Sequence, residues 1–563
     1  MNKISPEERL ERARVHCRQG NYDLALVEAS VAEEQSENKL VKSKSAQLRA
    51  SVYERMYDDT GAEYEYMAAS LLASEEQAKF LEGKSLECKD RKDRTASITA
   101  RAMREAEQSI VPLNLEKLRE NSKDGKLTFE DSEGIQEDRL YTMEVLVPAS
   151  DKLQAVLAQL DDSMKVQDRK IEYKGPGAQS LAEAILTDHN AFALPPGKDA
   201  NFRLLDKVLL LCDMEQTSID LPVNVKPVVS MPQDLLKHID EHDAAAPDKL
   251  STLVATTIVQ GMCELSTGSA TKAELHFLWS IMLMELVQDR WQTQIKTDAT
   301  TWRFFSMAFW RATRLLHLLS TYQMKRAQSI ATDASKHFQP VIDLAAFVVE
   351  SAADDSTSYS RGEHIAFKLM HMAQASIVIA ECLEARLHTY SPDTHTRDVD
   401  GTFSYNPKLA GSIAKLYAAA LEHAPTDSSV KVPAAYASTL MTLYHAGLTI
   451  EDLFARMQQA ETFHRITRPI FGPVVASDPH RLELMAIAQC LRQWLVEQMS
   501  SFPEASLTRL LQTKIERLPV LDGHYKVESA TGPDSGVKFT ALSQADLQKG
   551  VKSVKFISKG ALP

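Results

Sequence analysis

A basic stripe within TTWRFFSMAFWRATRLLHLLSTYQMKRAQ is the pattern in this sequence best suited to holding a charged ligand. At about 100° per residue, its cationic side chains fall within roughly 80° of one another on a helix. The stripe consists of Arg303, Arg311, Arg314 and Lys325. A buried helix with one such stripe can line a groove for phosphates or an acidic peptide. The alternative, which we favour, is that these arginines pair with internal carboxylates or extend to the surface.

Histidine and acidic clusters in the sequence do not complete a metal site. His238 and His242 stand one helical turn apart in LKHIDEHDAA, where a shared metal would need a third, converging ligand. The loop SPDTHTRDVDG fails as a calcium loop, because Thr396 takes the first ligand position and Pro407 the last. We therefore predict no metal site and no cofactor, and we interpret both places as polar surface.

The standard catalytic and nucleotide-binding signatures are absent from the sequence. It contains no G-x-x-x-x-G-K-S/T, G-x-G-x-x-G, H-E-x-x-H or G-x-S-x-G motif. The turn in RKIEYKGPGAQSLAEAIL could present backbone N–H groups to an anion, but the Lys and Ser/Thr pair of a phosphate loop is missing. We predict a protein that is not an enzyme; an active site assembled from scattered residues would escape such motifs.

The composition is typical of a soluble globular protein with more than one packed unit. The 563 residues carry a formal net charge of −13, which gives no overall attraction to nucleic acid or anionic membranes, although one basic groove can exist on an acidic chain. The six cysteines never form C-x-x-C and indicate reduced core thiols. Because the most hydrophobic stretches fall well short of the roughly 20 uninterrupted apolar residues that span a membrane, we predict a soluble cytoplasmic protein.

Sequence texture divides the chain into four segments, and the predicted fold class is mainly α. Residues 1–110 are rich in Ala, Glu, Lys and Leu and predict a helical N-terminal unit. Residues 111–231 predict a small mixed α+β segment or linker. Residues 232–520 predict a large α-helical main domain. Residues 521–563 are rich in Gly, Ser and Lys and predict a flexible tail.

Two segments contain more detailed local signals. In the mixed segment, KLTFE, LYTMEVLV and RKIEYK are strand-like, and helices are predicted at residues 150–163 and 178–188. The run from about residue 63 to residue 110 contains no proline and a single glycine, Gly83, so it predicts one very long helix or two helices broken at that glycine.

The stretch RQGNYDLALVEASVAEE repeats its spacing of small residues 37 positions later. The first set is Ala13, Ala25, Ala29 and Ala32, and the matching set is Ala50, Ala62, Tyr66 and Ala69. Small side chains at these positions let two antiparallel helices approach closely, and Tyr22 can wedge the turn between them. In the second copy Tyr57 stands where the turn glycine would be.

This pattern resembles the tetratricopeptide repeat. Gly20 and Tyr22 match the Gly-x-Tyr of its inter-helix turn, Ala13 matches its first helix, and Ala25 and Ala32 match its second helix. The resemblance covers about 70 residues, and the period exceeds the usual length of about 34 residues. The proline that often ends a repeat is missing, and the rest of the chain resembles no family.

The resemblance implies a surface that binds peptides or partner proteins. We therefore take Arg18, Asn21 and Tyr22 as candidate contact residues on the first hairpin. The leading hypothesis is a non-enzymatic helical scaffold or adaptor that binds other proteins through repeat-like and helical surfaces. The alternative is a self-assembling nucleic-acid-coating protein, similar to a viral nucleoprotein, that binds RNA in a basic groove near residues 303–325.

Overall fold

The computed structural model describes most of the chain, and within that part the fold is mainly α-helical, as the sequence predicts. The described residues are 4–106, 142–163, 177–192, 198–219, 227–240, 243–328, 334–389, 394–397, 403–471, 478–502, 505–519, 525–529 and 536–541.

Two helical hairpins and a long closing helix form the N-terminal region. The helices are α1 (Pro6–Arg18), α2 (Tyr22–Glu34), α3 (Lys39–Arg55), α4 (Asp59–Ser70) and α5 (Glu75–Ala106). Helix α1 begins at a Ser5 cap with proline at its first position, which is a favourable helix start. The run from residue 63 to residue 106 is divided between α4 and α5, so the one-helix alternative is wrong. The break lies at residues 71–74 and not at Gly83, through which α5 continues.

The repeated alanines pack these hairpins together. All seven are fully buried, and Tyr66, which replaces an alanine in the second copy, is 6% exposed. Because alanine adds almost no thickness to a helix face, the helix backbones can approach closely. The predicted pair of helical hairpins is thus present, while the named repeat family stays a resemblance.

The two hairpin turns share one backbone geometry. Gly20 has a φ of +77°, and Tyr57, at the equivalent position, has a φ of +56°. In each turn the following amide donates to the carbonyl oxygen five residues earlier, at 2.9 Å in both cases. Tyr57 therefore adopts the left-handed conformation that favours glycine, at a steric cost on the order of 1 kcal/mol.

The described residues in the middle of the chain are mostly helical. Helices α6 (Val147–Ser163), α7 (Gly177–Thr187) and α8 (Lys198–Ser218) follow one another, so the helices predicted at 150–163 and 178–188 are confirmed. The predicted strand LYTMEVLV is wrong, because Thr142–Leu146 forms a π-helical turn that leads into α6. A short apolar run fits a buried helix as well as a strand. The runs KLTFE and RKIEYK lie outside the described residues.

Twelve further α-helices follow in the part of the chain that the structure describes. They are α9 (Pro232–Leu236), α10 (Ala246–Ser266), α11 (Ala270–Arg290), α12 (Gln292–Thr297), α13 (Met307–Ala327), α14 (Ala334–Ala353), α15 (Arg361–His388), α16 (Pro407–His423), α17 (Lys431–His445), α18 (Ile450–Phe471), α19 (Pro479–Ser501) and α20 (Leu507–Leu511). One large core joins buried residues between 145 and 370. A second extends from 373 to 539 and includes Val27 and Val31 of α2, which fixes the N-terminal hairpins to the C-terminal helices.

Two small sheets complete the described structure. Strands β1 (His395–Arg397) and β2 (Phe403–Tyr405) pair antiparallel. The second sheet has the order β3 (Leu448–Thr449), β4 (Lys514–Ile515), β6 (Val537–Ala541) and β5 (Tyr525–Ser529), with β4 and β6 parallel.

Strands β5 and β6 fall within the segment predicted to be a flexible tail. Val537 is fully buried and Phe539 is 1% exposed, and both belong to the second core. The expectation of a loose tail therefore does not hold for these two strands, because an alternating apolar pair anchors β6 on the helices. The remaining tail residues lie outside the described part of the chain.

One helix among the described residues, α15, is long and apolar enough to cross a membrane, with a mean hydropathy of 1.3 over its best window. Of that window, 61% is buried inside the protein. Such burial is usual for a core helix of a soluble protein, in agreement with the composition.

Candidate functional site

The four cations of the predicted basic stripe do not share one helix. Arg303 belongs to a 3-10 turn, Arg303–Phe305, and α13 starts only after Ser306. The Ser306 hydroxyl accepts the Phe309 N–H at 3.4 Å and so caps α13. Because Arg303 lies outside α13, the angle of about 100° per residue that was assumed for the stripe does not apply to it. This part of the prediction is wrong.

Arg311 is enclosed by the protein. Its side chain is 1% exposed, lies 2.7 Å from a carboxylate oxygen of Asp355, and donates to the Phe367 carbonyl at 2.8 Å. Burial alone would raise the pKa of Asp355, but hydrogen bonds from Thr357, Tyr359 and Arg311 outweigh it and hold that pKa well below its usual range. Arg311 is thus an internal cation with its own counter-ion.

The neighbouring arginines also contact carboxylates. Arg314 lies 2.6 Å from Glu285 and 5.1 Å from the centre of the Trp310 ring, and Arg303 lies 2.5 Å from Glu183. Lys325 is half-buried near the C-terminal end of α13. The three arginines therefore pair with carboxylates of the protein, which is the alternative that we favoured from the sequence.

Metal-binding geometry is absent from the described residues, in which no three His, Cys, Asp or Glu side chains converge on a common point. His238 is exposed after α9, and His242 lies outside the described residues. Thr396 lies in β1, and Pro407 begins α16.

A polar network around the buried Glu384 joins α15, α16 and α19. The Glu384 carboxylate accepts from Tyr417 at 2.7 Å and lies 2.6 Å from Nε2 of His480. Burial opposes the charged form of His480, but hydrogen bonds to Asp478 and Glu384 outweigh it and raise its pKa to about 10. His480 thus forms a charged contact between α15 and the start of α19.

A cleft with a volume of about 500 Å³ opens between the first hairpin turn and α18. The polar and aromatic side chains that line it include Arg18, Tyr22, Arg55, Gln458, Glu461 and Arg465. Two of the three candidate residues on the first hairpin, Arg18 and Tyr22, therefore line the same cleft.

The helical repeat places two of these arginines. Arg18 lies in the last turn of α1 and Arg55 in the last turn of α3, at equivalent positions of the two hairpins. A cation in the last turn complements the partial negative charge of a helix C-terminus. Both side chains are exposed, and neither forms an ion pair with any residue that the structure describes. Sequence reasoning missed Arg55, although the 37-residue period that relates it to Arg18 was visible.

The carboxylate in the cleft wall is already compensated. Glu461 accepts from Tyr436 at 2.7 Å and from Nε of Arg481 at 2.9 Å, and it lies 3.6 Å from His464. Burial opposes ionisation, but the contacts with His464 and Arg481 outweigh it and lower the pKa of Glu461. The described wall therefore presents an excess of positive charge.

Contacts between distant parts of the chain hold the cleft walls in place. Arg481 donates to the Met56 carbonyl at 3.2 Å, just before the second turn. Arg468 of α18 lies 3.9 Å from the centre of the Tyr57 ring, a cation–π contact. The left-handed Tyr57 thus ties the second turn to the wall that carries Arg465.

A smaller cleft of about 210 Å³ adjoins the first at Tyr22 and Gln458. Asn21, the third candidate residue, lines it. Its other walls are mostly apolar and include Leu24, Phe454, Ala455 and Leu511. The turn predicted from sequence as a contact site therefore stands between an arginine-rich cleft and an apolar one.

Comparison of the chain with protein-family models, curated proteins and solved structures found no match.

Proposed function

We propose that the protein is a non-enzymatic helical scaffold that binds an acidic segment of a partner protein in the larger cleft. The observation that carries this proposal is the pair of exposed, repeat-related arginines, Arg18 and Arg55, facing the same opening as Arg465. The proposal extends the sequence-based hypothesis of a protein-binding hairpin, and it keeps the expectation of a cytoplasmic location.

Charge and shape both favour a carboxylate-bearing occupant. An arginine guanidinium is planar and can donate two parallel hydrogen bonds to one carboxylate, so the exposed pair Arg18 and Arg55 favours acidic side chains. Arg465 already has an interaction within the protein and adds positive charge to the wall. The counter-charge of Glu461 is engaged by Arg481 and His464 and does not compete for the occupant. The volume of about 500 Å³ is in the usual range for a small binding site.

The nucleic-acid alternative lacks a comparable observation in the described residues. The arginines first proposed for an RNA groove, Arg303, Arg311 and Arg314, each contact a carboxylate. Single-stranded nucleic acid is usually bound along an extended positive groove with stacking aromatics, whereas the cleft is compact. The test below therefore also measures RNA binding and self-association.

The test measures binding of a fluorescein-labelled hexaglutamate peptide by fluorescence anisotropy at low salt. We expect the double variant Arg18→Glu, Arg55→Glu to weaken binding by about tenfold or more, since two attractive contacts become repulsive. The control is Arg12→Glu, Arg14→Glu, which changes net charge equally. Arg12 is exposed and Arg14 is half-buried, and they pair with Glu8 and Glu11 of their own helix.

Three results would contradict the proposal. The first is that hexaglutamate does not bind, and the second is that both double variants weaken binding equally. The third is that a labelled hexauridine binds more tightly than hexaglutamate and depends on Arg18 and Arg55, which would favour the nucleic-acid alternative. Mass measurement of the purified protein reports self-association separately.

A further inference from the structure

We propose that the smaller cleft receives an apolar side chain of the same partner segment, so that the protein recognises an acidic residue followed or preceded by an apolar one. This inference rests on the proposed function, because it assigns the second half of the same occupant. It concerns the residues around Tyr22 and Gln458, where the two clefts meet.

The walls of the smaller cleft suit an apolar group. Leu24, Phe454, Ala455 and Leu511 supply aliphatic and aromatic surface, and Tyr22 adds its ring. A volume of about 210 Å³ has room for one large side chain. Removing such a side chain from water is favourable in proportion to its apolar area, so the cleft can add affinity to the charge contacts.

Two carboxylates also border the smaller cleft, and both have internal partners. Asp23 is buried and lies 3.3 Å from Nη1 of Arg492, and Glu451 accepts a hydrogen bond from Gln512. Asp23 is enclosed by the protein, whereas Glu451 is exposed at the edge of the cleft. The remaining wall, formed by Leu24, Phe454, Ala455 and Leu511, is apolar.

Gln458 fixes the boundary between the clefts. Its side-chain N–H donates to the Gln19 carbonyl at 3.4 Å, and a Cβ at Gly20 would stand 3.3 Å from the same nitrogen. A Cβ here would make a tight contact with the Gln458 amide, and the φ of +77° itself favours glycine at this turn. A peptide crossing the turn at this point would place neighbouring residues in different clefts.

The experiment uses fluorescein-labelled peptides of four glutamates with a pair of leucines, serines or lysines at one end, each made in both orders. We expect the better leucine peptide to bind the full-length protein about tenfold more tightly than the serine peptide. Ala455→Gln should remove this gain by filling the cleft. Ala455 is an exposed helical position, and Ala418→Gln, an exposed alanine of α16 outside both clefts, is the matched control.

The possible outcomes separate this inference from the proposed function. If all three peptides bind with the same dependence on Arg18 and Arg55, but leucine gives no gain, the arginine cleft stands and the apolar subsite is wrong. The inference is equally overturned if the leucine gain survives Ala455→Gln, or if the lysine peptide binds most tightly. If no acidic peptide binds in an arginine-dependent way, the proposed function fails and the inference fails with it.

Discussion

Two groups of arginines in this protein have opposite surroundings. Arg303, Arg311 and Arg314 each lie within ion-pair distance of a carboxylate, and Arg311 is almost completely buried. Arg18 and Arg55 end two equivalent helices, are exposed, and have no ion-pair partner in the described residues. The first group is engaged by carboxylates of the protein, and we propose that the second group contacts a ligand. The difference is set by neighbouring carboxylates, which the spacing of arginines in the sequence does not reveal.

The largest expected effect that distinguishes the groups is on stability. Replacing Arg311 by Met leaves the buried Asp355 carboxylate without its cation, and breaking a buried pair in this way costs about 3–5 kcal/mol. We expect this loss in the free energy of unfolding measured by urea denaturation. Arg311→Met combined with Asp355→Asn should recover part of it. A loss below about 1 kcal/mol for the single variant would show that the pair is not structural.

The sequence predicts the position of a residue best when the residues that hold it in place are close to it in the chain. The alanine spacing predicted the two hairpins, because helix packing between neighbours in the chain is local. The same period relates Arg18 to Arg55. The third arginine, Arg465, could not be predicted, because α18 reaches the first turn through contacts such as that of Gln458 with Gln19, which are 439 residues apart.

The wrong predictions have local physical causes. The stripe failed at Arg303 because Ser306 caps a new helix and interrupts the helical angle. The strand predicted in LYTMEVLV failed because a short apolar run does not determine its own secondary structure. The buried strand β6 was not expected in a segment rich in Gly, Ser and Lys, because its register depends on β4 and on the second core.

Acid should affect the two groups at different pH values. The folded pKa of Asp355 is lowered from 3.8, so the stability contributed by its pair with Arg311 is fully present above pH 3.8 and is lost as pH falls through the lower folded value. The glutamates of a bound peptide protonate near their ordinary pKa of about 4.3. Between pH 7 and pH 4 we therefore expect peptide affinity to fall several-fold.

The control for this prediction is the stability difference between wild type and Arg311→Met over the same pH range. That difference should stay nearly constant from pH 7 to pH 4, because Asp355 remains ionised in the folded protein. If peptide binding does not weaken on acidification, carboxylates of the peptide are not what the cleft arginines contact.

Salt should weaken peptide binding at the exposed arginines more than it weakens the buried pair of Arg311 and Asp355, and this effect is smaller than the preceding ones. The Debye length falls from about 10 Å at 0.1 M to about 3 Å at 1 M, which screens exposed charges much more than buried pairs. We expect hexaglutamate binding to weaken several-fold over this range, measured by anisotropy. The effect of Arg311→Met on unfolding should change little. Equal salt sensitivity of the two measurements would contradict the division into buried and exposed groups.

The smallest expected effect is on stability at the cleft itself. Arg18→Met keeps an unbranched side chain and removes a charge that has no ion-pair partner in the described residues, so the free energy of unfolding should change by less than about 0.5 kcal/mol. Only the favourable contact with the C-terminal end of α1 is lost. The same variant should still weaken hexaglutamate binding. A loss of stability comparable to that of Arg311→Met would mean that Arg18 has an internal structural role, and the cleft would then lose one of the two arginines on which ligand recognition depends.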